Sequence, residues 1–274
     1  MTLLEVDHLK KHFPVTGGVF LRRTGTVHAL DGVSFSLDRG ETLGIVGESG
    51  CGKTTLGRCV MGLYPPTSGD VRINGESLSG MDRKRKKSLA LKLQMIFQDP
   101  YESLDARQTV KEILEEKFII HNRRPDDMSE RIVALIDQVG LQPDALAKFP
   151  HEFSGGQRQR IGIARAISLE PGLIVCDEPV SALDVSVQSK ILNLLLDLQR
   201  SMGLAFLFIS HDLSVVQHIS TRVASPMDRI LSCERRILQE DSPPRIWGPK
   251  LFSRKPCRPS VAAALTMISP ALTT

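Results

Sequence analysis

The sequence predicts an α/β fold with a helical insertion. Three observations carry that prediction: an apolar run that enters a glycine-rich turn, two later apolar runs that end in polar residues, and helical periodicity in the stretch between. Residues 41–46 (ETLGIV) pass directly into GESGCGKTT, which reads as a strand, a tight loop and a helix from about Thr55. Leu173 to Cys176 and Leu204 to Ser210 have the length and apolar character of strands buried on both faces, and they end at Asp177-Glu178 and at His211. Open parallel sheets collect ligands at the carboxyl ends of their strands, so these polar ends point to one shared site. Between the first run and the second, Val110, Ile113 and Leu114, then Ile132, Leu135, Ile136 and Val139, recur at helical spacing and interrupt the α/β core.

A chain of 274 residues, 41% hydrophobic and 24% charged, is long enough for one large domain with an insertion. Its net charge of +4 is too small to argue for a nucleic-acid or membrane-surface protein. Cys51, Cys59, Cys176, Cys233 and Cys257 have neither CxxC spacing nor the regular pairing of a secreted scaffold, which fits a reducing compartment. The N-terminus carries Glu5 and Asp7 and has no apolar run behind a basic start, so a signal peptide is not expected. Leu204 to Ile209 and Val261 to Ile268 fall far short of the roughly 20 apolar residues of a membrane-spanning helix, so membrane association is expected only through a partner. Arg83 to Lys87 (RKRKK) lacks interleaved aromatic residues and reads as a solvated face. Pro65-Pro66 followed by Ser68-Gly69 reads as a turn between a helix and a strand.

The chemistry starts at the first strand. Gly47, Glu48, Ser49, Gly50, Cys51, Gly52, Lys53 and Thr54 fit G-x-x-x-x-G-K-[ST], with Thr55 opening the helix behind them. Glycines there let backbone N–H groups turn inward around phosphate oxygens, the helix N-terminus adds positive potential, and the lysine reaches the β and γ phosphates. Thr54 is placed to ligate Mg²⁺. ATP with Mg²⁺ is the expected ligand, although kinases and GTPases share this loop. Ser154 stands where it can cap a helix whose apolar positions Ile161, Ile163, Ala164 and Ile167 recur at helical spacing. With Gly155 and Gly156 it forms a second candidate anion site.

Phe153 to Gln157 (FSGGQ), followed by RQRIGIARAI, resembles the LSGGQ signature of the ABC ATPase family, with phenylalanine in place of the first leucine. Five further motifs resemble that family in order, and the likeness runs from about Leu3 to Val223. The resemblance implies a P-loop NTPase (RecA-like) core with an ABC β-subdomain and a helical subdomain inserted over about residues 100–165. In that reading, residues 1–223 form the ATPase domain and 224–274 a divergent, loosely held tail.

The same resemblance assigns roles. LIVCDEP resembles the Walker B strand, with Asp177 in the Mg²⁺ shell and Glu178 beside the attacking water. SALD ending at Asp184 matches the D-loop, and His211 matches the switch histidine at the γ-phosphate. Gln98 in IFQDP matches the glutamine that touches Mg²⁺ and water, and Phe13 falls where the family stacks an aromatic ring on adenine, with His12 as the other candidate. Ser154, Gly155, Gly156 and Gln157 would face the γ-phosphate bound to the opposite subunit, which implies a head-to-tail dimer, identical or mixed.

HFPVTGG, ALDGVSF, GESGCGKTTLGR, FQDPYESLD, DEPVSALDVSVQ and FISHDLSVV resemble the oligopeptide and dipeptide importer ATPases. Nickel, glycan and glutathione importers share these strings. The implied assembly is a pair of ATPases beneath two transmembrane permease subunits, at the cytoplasmic face of the inner membrane, fed by an extracytoplasmic solute-binding protein. An exporter motor shares every catalytic motif and is separated only by the importer strings. An ABC ATPase acting on nucleic acid would typically carry two cassettes or a long coiled coil, and no heptad pattern extends over several turns here.

Overall fold

A computed structural model describes residues 2–17, 22–99 and 103–225. The expectation of a loosely held tail concerns residues 224–274, of which those from 226 onward lie outside the described residues.

The described chain builds two sheets. One is antiparallel, formed by β1 (Thr2–Gly17), β2 (Arg22–Asp38), β4 (Ser68–Ile73) and β5 (Glu76–Ser77) in the order β2-β1-β4-β5. The other is parallel, formed by β3 (Thr42–Val46), β6 (Leu93–Ile96), β7 (Leu173–Asp177), β8 (Ala205–Ser210) and β9 (Arg222–Ala224) in the order β6-β7-β8-β3-β9. The three strands expected from sequence, β3, β7 and β8, are neighbours at its centre.

Alternation along the central strands shows how the parallel sheet is buried on both faces. Ile174 and Cys176 of β7 and Phe206 and Phe208 of β8 face one hydrophobic core, while Leu173 and Val175, with Ala205, Leu207 and Ile209, face another. All of these residues are fully buried. The second core is closed by Leu4, Leu9 and Leu37 of the antiparallel sheet and by Leu56 and Val60. Each of the buried leucine, isoleucine, valine and phenylalanine side chains contributes about 1.5–3 kcal/mol when taken from water, so β7 and β8 anchor both layers.

The helices bounded within the described residues are α1 (Lys53–Val60), α2 (Arg83–Lys92), α3 (Val110–Ile120), α4 (Met128–Gln138), α5 (Gly155–Ile167), α6 (Val185–Met202) and α7 (Leu213–Ile219). The predicted helical segment between β6 and β7 is present as α3 and α4 followed by two single 3₁₀ turns and then α5. Thr109 opens α3 with a reciprocal capping box to Glu112, and Asp127 caps α4 through the Glu130 N–H at 2.9 Å. Val110, Ile113, Leu114 and Phe118 of α3 and Ile132, Leu135 and Ile136 of α4 are buried, and both helices pack on α5. The basic run lies on α2, where Asp82 caps the Arg85 N–H at 2.7 Å and Lys84 to Lys87 are exposed. No helix among the described residues is long and apolar enough to cross a membrane.

Candidate functional site

β3 delivers the glycine-rich loop to the carboxyl edge of the sheet, and α1 begins at Lys53, two residues before the expected start. The cause is Gly52, which occupies the helix N-cap at φ +95, a conformation L side chains resist. A Cβ there would also lie 2.2 Å from the Ala29 carbonyl oxygen, so the loop is pressed against β2.

Lys53 is 5% exposed, and its ammonium donates to the carbonyl oxygens of Gly47 at 2.7 Å and Glu48 at 2.8 Å. Carbonyl dipoles hold the charge without neutralising it, which favours an anion at the loop. Thr54 Oγ1 donates to Asp177 Oδ1 at 3.2 Å, tying the loop to the end of β7. Burial pushes the Asp177 carboxyl above the usual carboxylate range, and adjacent Glu178 adds to that, while the Thr54 hydroxyl, Arg58 and Lys53 pull the other way. The hydroxyl, the carboxylate and the Gln98 amide carbonyl are hard oxygen donors of the kind Mg²⁺ takes.

Glu178 follows at φ +49, with its backbone N–H donating to Ile209 O at 2.9 Å. Its carboxylate Oε2 stands 3.1 Å from His211 Nδ1, the residue just past β8. Ser49, Gly50, Gly52, Lys53, Thr54, Thr55, Gln98, Glu178 and His211 line one cleft, so the loop and the ends of three strands meet as expected. Gln98 also lines an adjoining cavity with Thr54, Arg58, Arg165 and Asp177. Val27, His28 and Ala29 of β2 line the cleft as well. Sequence reading gives them no role, nor Arg58 and Arg165: Ala29, Arg58 and Arg165 lie inside family-like strings without a function attached, and Val27 and His28 lie outside them.

The other expected residues do not line this cleft. Ser154 caps α5 in a reciprocal box: Gln157 N–H donates to its hydroxyl at 3.4 Å, and Ser154 N–H donates to Gln157 Oε1 at 3.0 Å. Phe153, in the signature's first position, is buried in the core. Gly156 faces Val187 of α6 so closely that a Cβ would lie 2.5 Å from Val187 Cγ1. Asp184 is exposed at the N-cap of α6 and makes no side-chain cap bond. Phe13 on β1 meets Tyr64 edge-on at 5.6 Å between ring centroids, with the Lys11 ammonium 4.9 Å from its own centroid.

A family model described as ABC transporter matches residues 30–181. The chain is 54% identical over 224 residues to the oligopeptide transport ATP-binding protein AppF of Bacillus subtilis, spanning 81% of this chain and 68% of that protein. It is 49% identical over 222 residues to the dipeptide transport ATP-binding protein DppF of Escherichia coli, spanning 81% of this chain and 66% of that protein. Among solved structures, an ATP-binding cassette captured as a dimer in a post-hydrolysis state with ADP and phosphate superposes with TM-score 0.73 and 26% identity, over 85% of this chain and 98% of that one.

Proposed function

This chain belongs to the ABC transporter family, and from that premise we propose that it is the ATP-hydrolysing subunit of a peptide importer, working in pairs beneath two permease subunits at the cytoplasmic face of the inner membrane. The observation that carries the ATPase reading is the Thr54–Asp177 contact, which joins the phosphate loop to the strand bearing Glu178, with His211 across from it. The peptide reading is supported by the high identity to the oligopeptide and dipeptide transport proteins.

In this proposal Gly47 to Thr55 cradle the phosphates through backbone N–H groups, and Lys53 holds the β and γ oxygens. Thr54, Asp177 and Gln98 are the residues to hold Mg²⁺, which supplies charge neutralisation on the phosphates when bound. Glu178 orients the attacking water and takes its proton as ATP is split to ADP and phosphate. His211 holds the Glu178 carboxylate and reaches toward the γ-phosphate. Phe13 stacks on adenine. Ser154, Gly155, Gly156, Gln157 and Asp184 act on the nucleotide of the partner ATPase, because the N–H groups at the start of α5 make a second anion site.

Residues 1–223 are the ATPase domain in this account, with the helical arm over about 100–165 reaching the permeases. The test is reconstitution with two permeases and a peptide-loaded binding protein in liposomes. Phosphate release should rise with peptide; release that responds to DNA and not to peptide would sink the importer reading.

A further inference from the structure

The antiparallel sheet carries a cluster to which the proposed ATPase mechanism gives no role. His12 on β1 is directly paired with His28 on β2, and their imidazoles stack with centroids 3.9 Å apart. Asp31, farther along β2, brings Oδ1 to 4.0 Å from His12 Nε2. One donor atom from each of the three residues lies within 4.8 Å of the others. The irregularity between Lys11 and His12 sets this geometry: β2 carries one extra residue, Ala29, between the partners of Lys11 and His12, which brings His28 onto the same face as Asp31 and opposite His12.

His12 Nε2 is buried and has no hydrogen-bond partner among the described residues. Leaving a ring nitrogen dry and unpaired is unfavourable, and a metal ion satisfies such an atom directly. Two imidazoles and one carboxylate are the donor set of borderline divalent transition metals, zinc first among them, with a fourth position left for water. A tetrahedral ion bonded at about 2.0–2.1 Å sets its donors about 3.4 Å apart, so binding requires exposed His28 and half-exposed Asp31 to move toward His12.

We propose that His12, His28 and Asp31 bind a divalent transition-metal ion of the zinc class on the antiparallel sheet. The site is separate from the Mg²⁺ donors on α1 and β7. It adjoins the nucleotide cleft, because His28 is also one of the cleft's lining residues. The Lys10 ammonium sits 3.4 Å from the same Asp31 oxygen and competes with the ion for it.

The test is a titration of the full-length chain, without a histidine tag, with Zn²⁺ against a chromophoric chelator, together with Co²⁺ absorption as a readout of tetrahedral coordination. One ion should bind per chain. His28→Gln and Asp31→Asn should each weaken it at least about tenfold and abolish the cobalt band, and Lys10→Gln should tighten it. His8→Gln, at the neighbouring exposed histidine, should leave it unchanged. Because His28 and Asp31 are surface residues, these variants should stay folded, which circular dichroism checks. No zinc bound by the wild type, or binding unaltered in His28→Gln, overturns the proposal.

Discussion

His211 Nδ1 lies 3.1 Å from Glu178 Oε2, joining the residue after β8 to the residue after β7. The Glu178 side chain is 16% exposed and that of His211 is 56% exposed, so the carboxylate sits inside the cleft and the imidazole at its mouth. Glu178 keeps this position through a left-handed backbone at φ +49, held by its N–H on Ile209 and by Ser181 Oγ on its carbonyl at 3.0 Å. A non-glycine residue in that conformation stores strain of about 1–3 kcal/mol, and such strain collects where side-chain direction matters.

Glu178→Gln keeps the shape of the side chain and its reach to His211 but cannot accept a proton. ATP affinity should stay within about threefold of wild type, while phosphate release falls on the order of 10²–10⁴-fold, the usual contribution of a positioned acid–base group. Gel filtration with ATP should show a trapped dimer. Undiminished hydrolysis would remove Glu178 from its proposed role.

Lys53→Ala takes away a buried ammonium whose partners are the carbonyls of Gly47 and Glu48. Hydrogen bonds to a charged group are worth about 1.5–3 kcal/mol, so ATP should bind at least about tenfold more weakly. Equilibrium titration with a fluorescent ATP analogue measures this, and wild-type affinity in the variant would contradict the role given to Lys53.

Much of the site was legible because its residues are contiguous with strong local signals. The glycine-rich loop follows a largely apolar strand, Ser154 opens a helix of plain periodicity, and Asp177-Glu178 end a continuous apolar run. The antiparallel sheet was implied only by the family resemblance and not by the residues' own pattern, since the β1 register shifts between Val6 and Leu9, between Leu9 and Lys10 and again between Lys11 and His12, which breaks the period-two pattern a strand reading needs. β6 spans only Leu93–Ile96, too short for its own signal, and is fixed by pairing with β7. Val27, His28 and Ala29 reach the cleft only through tertiary contact, as the Gly52–Ala29 approach shows. Arg165 sits near the end of α5 and turns back to the Ser103 carbonyl, a partner 62 positions away that no local pattern announces.

Gly156→Ala should destabilise the fold by about 1–3 kcal/mol through overpacking, because the new methyl meets Val187 Cγ1 at 2.5 Å. The obstacle is a side chain, so Val187→Ala in the same chain should restore most of the loss. Gly52→Ala meets the Ala29 backbone oxygen instead, and no side-chain truncation should rescue it. Urea unfolding of the single and double variants separates the two cases, and a double variant as unstable as Gly156→Ala alone would refute the contact.

Lys117 gives the fold a pH signature. Its ammonium donates to Gln94 Oε1 at 2.8 Å, and burial, reinforced by the Arg165 charge and opposed by Glu116, brings its pKa down to about 8 from 10.5. The folded state therefore releases this proton near pH 8, while the unfolded state keeps it until about pH 10.5. Between those values the unfolded chain binds more protons, so this group's contribution to stability rises with pH; below pH 8 the cost of burying the charge is felt in full. At about 1.4 kcal/mol per pKa unit the rise is at most roughly 3 kcal/mol. Cys59, pushed up to about 11 by burial, tilts the absolute curve the other way above pH 9, so the informative quantity is a difference between proteins. Lys117→Met combined with Gln94→Leu removes the charge without stranding the buried amide. Wild type should gain on this double variant as pH goes from 7 to 10 in urea unfolding, and a difference that stays flat would show that Lys117 titrates as an ordinary surface lysine.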